Sequence, residues 1–258
     1  MATYLDRIVA RHREVAALDV RPVEALIEAA RAAAPTRGFR EALAGRPHLA
    51  VISEVKRRSP SKGPLNAGLD PATLAAEYAR GGASCLSVLT DEEFFGGSWA
   101  DLHAARDACS LPVLRKDFTV SERDVLDARI MGADCVLLIA AALDRSELVG
   151  FHQLAVEVGL DVLVEIHDEA ELDVALAAGA TLVGVNQRDL VTFQVDHQRA
   201  LRMAGQMPAG VVRVAESGVR GPADAASLRA AGYHAVLVGE SLVTSGDPAA
   251  AVAALVSA

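Results

Sequence analysis

The chain has 258 residues, 52% of them hydrophobic but only 4% aromatic, and a formal net charge of −9. An acidic balance argues against a nucleic-acid partner, whose phosphates require stripes of Lys and Arg. With so few aromatic rings the core must be built from Ala, Val, Leu and Ile, which suits buried parallel strands covered by Ala-rich helices.

Residues 1–46 precede any repeating pattern. Leu5, Ile8, Val9, His12 and Val15 fall at helical spacing, and a second helix is predicted over 22–34, before Pro35. This stretch is expected to be a helical extension that caps one end of the main body. A rhythm then begins, with strand-like runs starting near Leu49, Ser84, Pro112, Asp134, Asp161, Thr181, Val211 and His234. Helical patterns separate them over 70–80, 99–108, 121–131, 144–158, 168–178, 196–205, 222–231 and 247–256. Ser121, Asp144, Asp168 and Asp196 stand where a helix N-cap is expected, and Gly-Gly-Ala or Gly-Ala pairs stand at several helix exits. Strands alternating with helices imply a parallel sheet. The even spacing and the length, close to the ~250 residues of such barrels, favour a single (β/α)8 TIM barrel over residues 1–258. A doubly wound open sheet is the competing topology.

Cys85, Cys109 and Cys135 are widely spaced and lack a CxxC pair, so reduced thiols are expected rather than a disulfide framework or a structural zinc. The first residues carry charges where a signal peptide needs an apolar stretch. The longest apolar run, 135–143, is far short of the ~20 residues that span a bilayer. A soluble, cytoplasmic protein without a membrane partner is expected.

Most of the predicted strands end in a group that could serve chemistry. The first delivers Glu54 and Lys56, which share a face at i, i+2, and leads into a basic loop, Arg57-Arg58-Ser59-Pro60-Ser61-Lys62-Gly63, suited to closing over an anion. The third ends at Lys116, whose partial desolvation is expected to lower its pKa. The fifth delivers Glu165, which needs a cationic partner among apolar neighbours, followed by His167, expected to be a loop or cap residue. The sixth supplies Asn186 and then Arg188, able to hold a carboxylate. The seventh and eighth end in Glu216-Ser217-Gly218 and Gly239-Glu240, where glycine turns permit phosphate to approach backbone N–H groups. Each feature has a plainer counterpart. Glu54 and Lys56 could be a surface ion pair, Lys116 could snorkel to solvent, and Phe118 could be ordinary core. Only a barrel makes them neighbours, because it brings all eight C-terminal strand ends to one mouth.

Taken together, these motifs closely resemble the indole-3-glycerol-phosphate synthases of tryptophan biosynthesis. The resemblance rests on Glu54-Val55-Lys56 with Ser59-Pro60-Ser61-x-Gly63, Leu89-Thr90 with Phe94-Phe95-Gly96-Gly97-Ser98, and Arg115-Lys116-Asp117-Phe118. It continues through Val164-Glu165-Ile166-His167, Asn186-x-Arg188-Asp189-Leu190, Ala215-Glu216-Ser217-Gly218 and Gly239-Glu240-Ser241-Leu242. Gln187, where Asn is expected, and Arg58, where a small residue or Lys is frequent, depart from the pattern. By resemblance, Lys116 is the general acid of ring closure, Glu165 and Lys56 serve later proton transfers, and Glu54 positions Lys56. Asn186 and Arg188 would place the carboxylated ring, and Phe95, Phe118 and Leu137 would enclose it. Ser59, Glu216 and Ser217 would contact the substrate, with Gly218, Gly239 and Glu240 at its phosphate. No cofactor and no metal are implied. The resemblance implies a monomer acting on a small phosphorylated molecule, with other tryptophan-pathway enzymes as the partners it could meet. Two rival readings use the same residues: an aldolase-type barrel in which Lys116 forms a Schiff base, and a phosphate-ligand-binding barrel without catalysis.

Overall fold

A computed structural model of the chain describes residues 3–60, 62–189 and 191–258. Ser61 and Leu190, which belong to two of the motifs above, lie outside the described residues. Strands β1 (Ala50–Val55), β2 (Cys85–Leu89), β3 (Val113–Lys116), β4 (Cys135–Ile139), β5 (Asp161–Ile166), β6 (Leu182–Asn186), β7 (Val212–Glu216) and β8 (Ala235–Val238) pair in parallel, each with its sequence neighbour. Pairing of β1 with β8, from Ala50↔Ala235 to Ser53↔Val238, closes the ring. This is a TIM barrel; the open doubly wound sheet is excluded.

Side chains alternate between the two faces of each strand. The outward set, including Val51, Leu86, Val136, Val164 and Ala215, packs under the helices. The inward set, including Ile52, Leu114, Leu137, Leu163, Val214 and Leu237, forms a separate cluster inside the barrel. Each such Leu or Val contributes about 1.5–3 kcal/mol when fully buried. Outside the ring lie α4 (Pro71–Arg80), α5 (Trp99–Asp107), α6 (Glu122–Ile130), α7 (Arg145–Glu157), α8 (Glu169–Ala177), α9 (Arg199–Met203), α10 (Pro222–Ala230) and α12 (Pro248–Val256), with a short α11 (Glu240–Val243) following β8. Ser121, Asp144 and Asp168 accept first-turn N–H bonds from Asp124, Glu147 and Glu171, as predicted. Asp196 does not cap a helix. Its carboxylate accepts the N–H of Gln198 in a local turn at 3.0 Å, and α9 starts three residues later than predicted.

The N-terminal extension differs from expectation in reach. Helix α1 (Tyr4–Leu18) lies at the C-terminal mouth, where Tyr4, Leu5 and Ile8 line the cavity described below. Helix α2 (Val23–Ala32) runs alongside α6. The short α3 (Phe39–Leu43) then seals the opposite end, with Phe39 and Leu43 fully buried in the interior cluster. Polar tethers hold that plug: the N–H groups of Arg37 and Arg40 donate to Asp134 (2.7 Å) and Asp161 (2.8 Å) beneath β4 and β5. Thus the extension reaches both ends, not one: α3 covers the apolar interior at one end, and α1 supplies Tyr4, Leu5 and Ile8 to the wall of the other. Cys85 and Cys135 are buried, Cys109 is half-buried, and all three thiols are free. No helix among the described residues is long and apolar enough to cross a membrane.

Candidate active site at the barrel mouth

On five of the eight strands the inward face changes character near its C-terminal end. Ile52 gives way to Glu54 and Lys56, Leu114 to Lys116, Leu163 to Glu165, Val214 to Glu216 and Leu237 to Gly239, each step being two residues along one face. These polar ends, with Asn186 on β6, line one cavity of about 570 Å³. The remaining residues singled out from the sequence (Ser59, Phe95, Phe118, Leu137, Arg188, Ser217, Gly218 and Glu240) line it too.

At its centre Lys116 Nζ stands 3.3 Å from Glu165 Oε2 and 3.8 Å from Glu216 Oε2. Both carboxylates are about 2% exposed. Burial alone would pull the Lys116 pKa down, but Glu165, Glu216 and Glu54 together outweigh it and raise the pKa above its ordinary value. The expected lowering is therefore wrong. One strand shows the desolvation of its lysine but not the three carboxylates that other strands bring to it. The two nearest carboxyls are driven apart. Burial favours the neutral form of Glu165, yet Lys116, His167 and a hydrogen bond from Asn186 Nδ2 (3.0 Å) hold its pKa below the ordinary range. Glu216 goes the other way, pushed well up by burial and then by the charge on Glu165. Its Oε1 finds no hydrogen-bond partner among the described residues. The centre thus holds a lysine whose pKa is raised and two carboxyl groups pushed in opposite directions, all within a few ångströms, a division suited to acid–base chemistry.

Glu54 accepts a hydrogen bond from Lys56 Nζ, pairing the two on one face as predicted. Space for the Glu54 carboxylate is made by Gly239, where a Cβ would collide with Glu54 Oε1. Gly184 makes room for Glu216 in the same manner. Ser217 and Gly218 turn through consecutive positive φ values, 64° and 75°. Gln187 Nε2 donates to the Ser217 carbonyl at 2.8 Å and braces that turn. Asn186 is committed at both ends of its amide, its Oδ1 accepting the Arg188 N–H at 3.0 Å. The Arg188 guanidinium donates to the Phe193 carbonyl at 3.0 Å while lining the cavity.

The basic loop after β1 is a short hairpin (Arg58–Ser59 with Gly63–Pro64), and its arginines face protein acceptors. Arg57 pairs with Asp101, Arg58 Nε donates to the Phe94 carbonyl at 2.8 Å, and Lys62 pairs with Glu240. Their charges pin this loop to its neighbours. Ser59 Oγ is buried and has no partner among the described residues. Opposite lies an apolar compartment, where Phe95 and Phe118 face each other with centroids 6.2 Å apart above Leu137 and Ile139. His167 is more than a loop residue. Its Nδ1 lies 3.1 Å from Glu171 and its Nε2 lies 3.8 Å from Glu165. Sequence periodicity found Leu5 and Ile8 as helix residues but carried no sign that they reach the mouth. Among the described residues the one cluster with metal-ligand spacing is His12, Asp91 and Asp117; its members already bond to one another and to Arg115.

The chain matches the family model "Indole-3-glycerol phosphate synthase" over residues 5–255. It is 54% identical over 212 residues to an indole-3-glycerol phosphate synthase of Parafrankia sp. (strain EAN1pec), covering 82% of this chain and 79% of that protein. It is 51% identical over 258 residues to the enzyme of that name from Mycobacterium leprae, covering 100% of this chain and 95% of the relative. Among solved structures, a thiamine phosphate pyrophosphorylase from Pyrococcus furiosus superposes with a TM-score of 0.61 at 14% identity, covering 80% of this chain and 93% of that one, a likeness of fold alone. With nearly its whole length matched and half its residues shared with such relatives, the chain belongs to the indole-3-glycerol phosphate synthase family.

Proposed function

We propose that this protein converts 1-(2-carboxyphenylamino)-1-deoxyribulose 5-phosphate to indole-3-glycerol phosphate, CO2 and water, a step of tryptophan biosynthesis. The observation that carries the mechanism is the charged Lys116 ammonium held between Glu165 and Glu216 in a cavity with an aromatic wall.

The carboxyl-bearing ring carbon attacks the chain ketone, and Lys116 gives its proton to the oxygen on which charge develops. A positioned acid of this kind contributes about 10²- to 10⁴-fold. CO2 departs, its bonding pair returns to the ring, and aromaticity is restored. The new hydroxyl leaves as water with a second proton, while a proton leaves the adjacent chain carbon and the indole double bond closes. Two protons are taken up and one is released, which balances a carboxylate leaving as neutral CO2. Lys56, held by Glu54, and the ionised Glu165 serve the later transfers. Phe95, Phe118 and Leu137 enclose the ring, Asn186 and Arg188 orient it, and Ser59 and Glu216 contact the substrate. The phosphate lies toward Ser217, Gly218, Gly239 and the backbone of Glu240. The protein acts as a monomer in this scheme.

An amine held protonated in the resting site is a poor nucleophile, so the raised pKa of Lys116 disfavours a Schiff base, while the ammonium stands ready to stabilise and protonate the developing oxyanion. The test is Lys116→Ala assayed for indole formation. Turnover should be nearly abolished while a phosphate analogue still binds, and borohydride with substrate should leave no adduct on the unaltered protein. Unchanged turnover in the variant would refute the assignment.

A further inference from the structure

Helix α1 sends His12 into the rear of the aromatic wall, where no step above uses it. Its Nε2 lies 2.9 Å from Asp91 Oδ2 and 3.8 Å from Asp117 Oδ1. The two carboxylates are about 4% and 5% exposed. Each organises one side of the ring compartment. Asp91 Oδ1 accepts the N–H groups of Phe94 (2.6 Å) and Phe95 (2.9 Å). Asp117 Oδ1 accepts the N–H of Phe118 at 2.8 Å, and the His12 ring itself packs 5.5 Å from that of Phe118. Asp117 is also held by Arg115 Nη2 (3.0 Å) and by Thr90. Among the described residues Asp91 has no such second cation, and its Oδ2 faces His12.

We propose that His12 is a positioning residue, which joins Asp91 and Asp117 into one latch that sets the gap between Phe95 and Phe118 and so the grip on the substrate's flat ring. This rests on the reading of Phe95 and Phe118 as the ring compartment. Loss of His12 leaves a buried carboxylate without its partner, and the segment carrying Phe95 is then free to swing outward. Four charged groups face the imidazole: Asp91, Asp117 and Asp124, which favour its protonated form, and Arg115 through its hold on Asp117. Burial opposes protonation, but the hydrogen bond to Asp91 and the charges of Asp117, Asp91 and Asp124 prevail, so the His12 pKa stands above its ordinary value. The latch is then closed at lower pH and loosens as pH rises.

The experiment compares KM and kcat of the full chain as wild type, His12→Ala, His12→Gln, His12→Lys and Phe118→Ala. Loss of the latch should raise KM roughly tenfold in His12→Ala, with kcat within about twofold, the signature of lost binding rather than lost chemistry. His12→Lys, which keeps the charge without titrating near neutrality, should return KM to within about threefold of wild type. From about pH 6 to about pH 9 the wild-type KM should climb relative to that of His12→Lys; a constant ratio overturns the proposal. A wild-type KM in His12→Ala alongside a raised KM in Phe118→Ala also overturns it, while leaving the ring compartment intact. Wild-type KM values in both mean that the compartment has been misassigned and the latch falls with it. Should His12→Ala fail to fold, His12→Gln decides: a raised KM supports the latch, an unchanged one overturns it.

Discussion

The floor and the mouth of this barrel are built from the same inward faces of the same eight strands, yet they make opposite use of them. At the floor, Ile52, Leu114, Leu163 and Val214 pack against one another and against Phe39 and Leu43 of α3. Two residues further along each of these strands the side chains become Glu54, Lys116, Glu165 and Glu216, ionisable groups whose three carboxyls are buried almost as deeply, one with an oxygen that lacks a partner among the described residues. Burial stabilises the first set and costs free energy for the second. The mouth therefore exists because the floor holds the strands in register beneath it, and the two should respond to substitution in opposite ways.

The strongest way to break the comparison is Lys116→Met, which retains bulk but removes the ammonium. We expect kcat to fall by about 10³-fold or more while circular dichroism stays that of the wild type. At the floor, Phe39→Ala should cost about 3–5 kcal/mol in urea denaturation, yet leave kcat of the folded fraction within about twofold; a parallel loss of catalysis would mean that the floor shapes the chemistry directly. Glu216→Gln sharpens the contrast. Because the folded state keeps Glu216 protonated to well above its ordinary pKa, the unfolded chain binds fewer protons there once pH exceeds about 4.5. Wild-type stability thus falls with rising pH by at most about 1.4 kcal/mol per unit from this group. The amide variant lacks that slope and should gain on the wild type between pH 5 and pH 8, as measured by melting at each pH. The smallest effect expected is Ile52→Val, about 0.5–1.5 kcal/mol of stability with unchanged KM.

How much of this was legible beforehand follows from the range of each signal. Parallel strands buried on both faces read as apolar runs, so all eight appeared with starts within a residue or so of those observed. Caps such as Ser121 and Asp144 act within one turn and were equally plain. Every site residue except Leu137, which sits in the middle of β4, could be placed at a strand end or in the loop after it, and closure of the ring brought them together. What failed depended on distant partners. The sign of the Lys116 shift needs Glu165 and Glu216 from other strands, and the arginines of the β1 loop look free until Asp101 and Phe94 are placed beside them. Helix α3 spans only five residues, too few for a helical period to show. Gln187, a departure from the family pattern, proved to brace Ser217.

The plug formed by α3 has a consequence for how the molecule is made. Phe39 emerges early in synthesis, but the chamber that receives it is completed only when Ala235 pairs with Ala50, some two hundred positions later. Until then a large ring has no shelter, and that early segment depends on contacts of very long sequence separation, which form slowly. Seating of Phe39 should consequently coincide with the last, slow phase of refolding rather than with the first collapse.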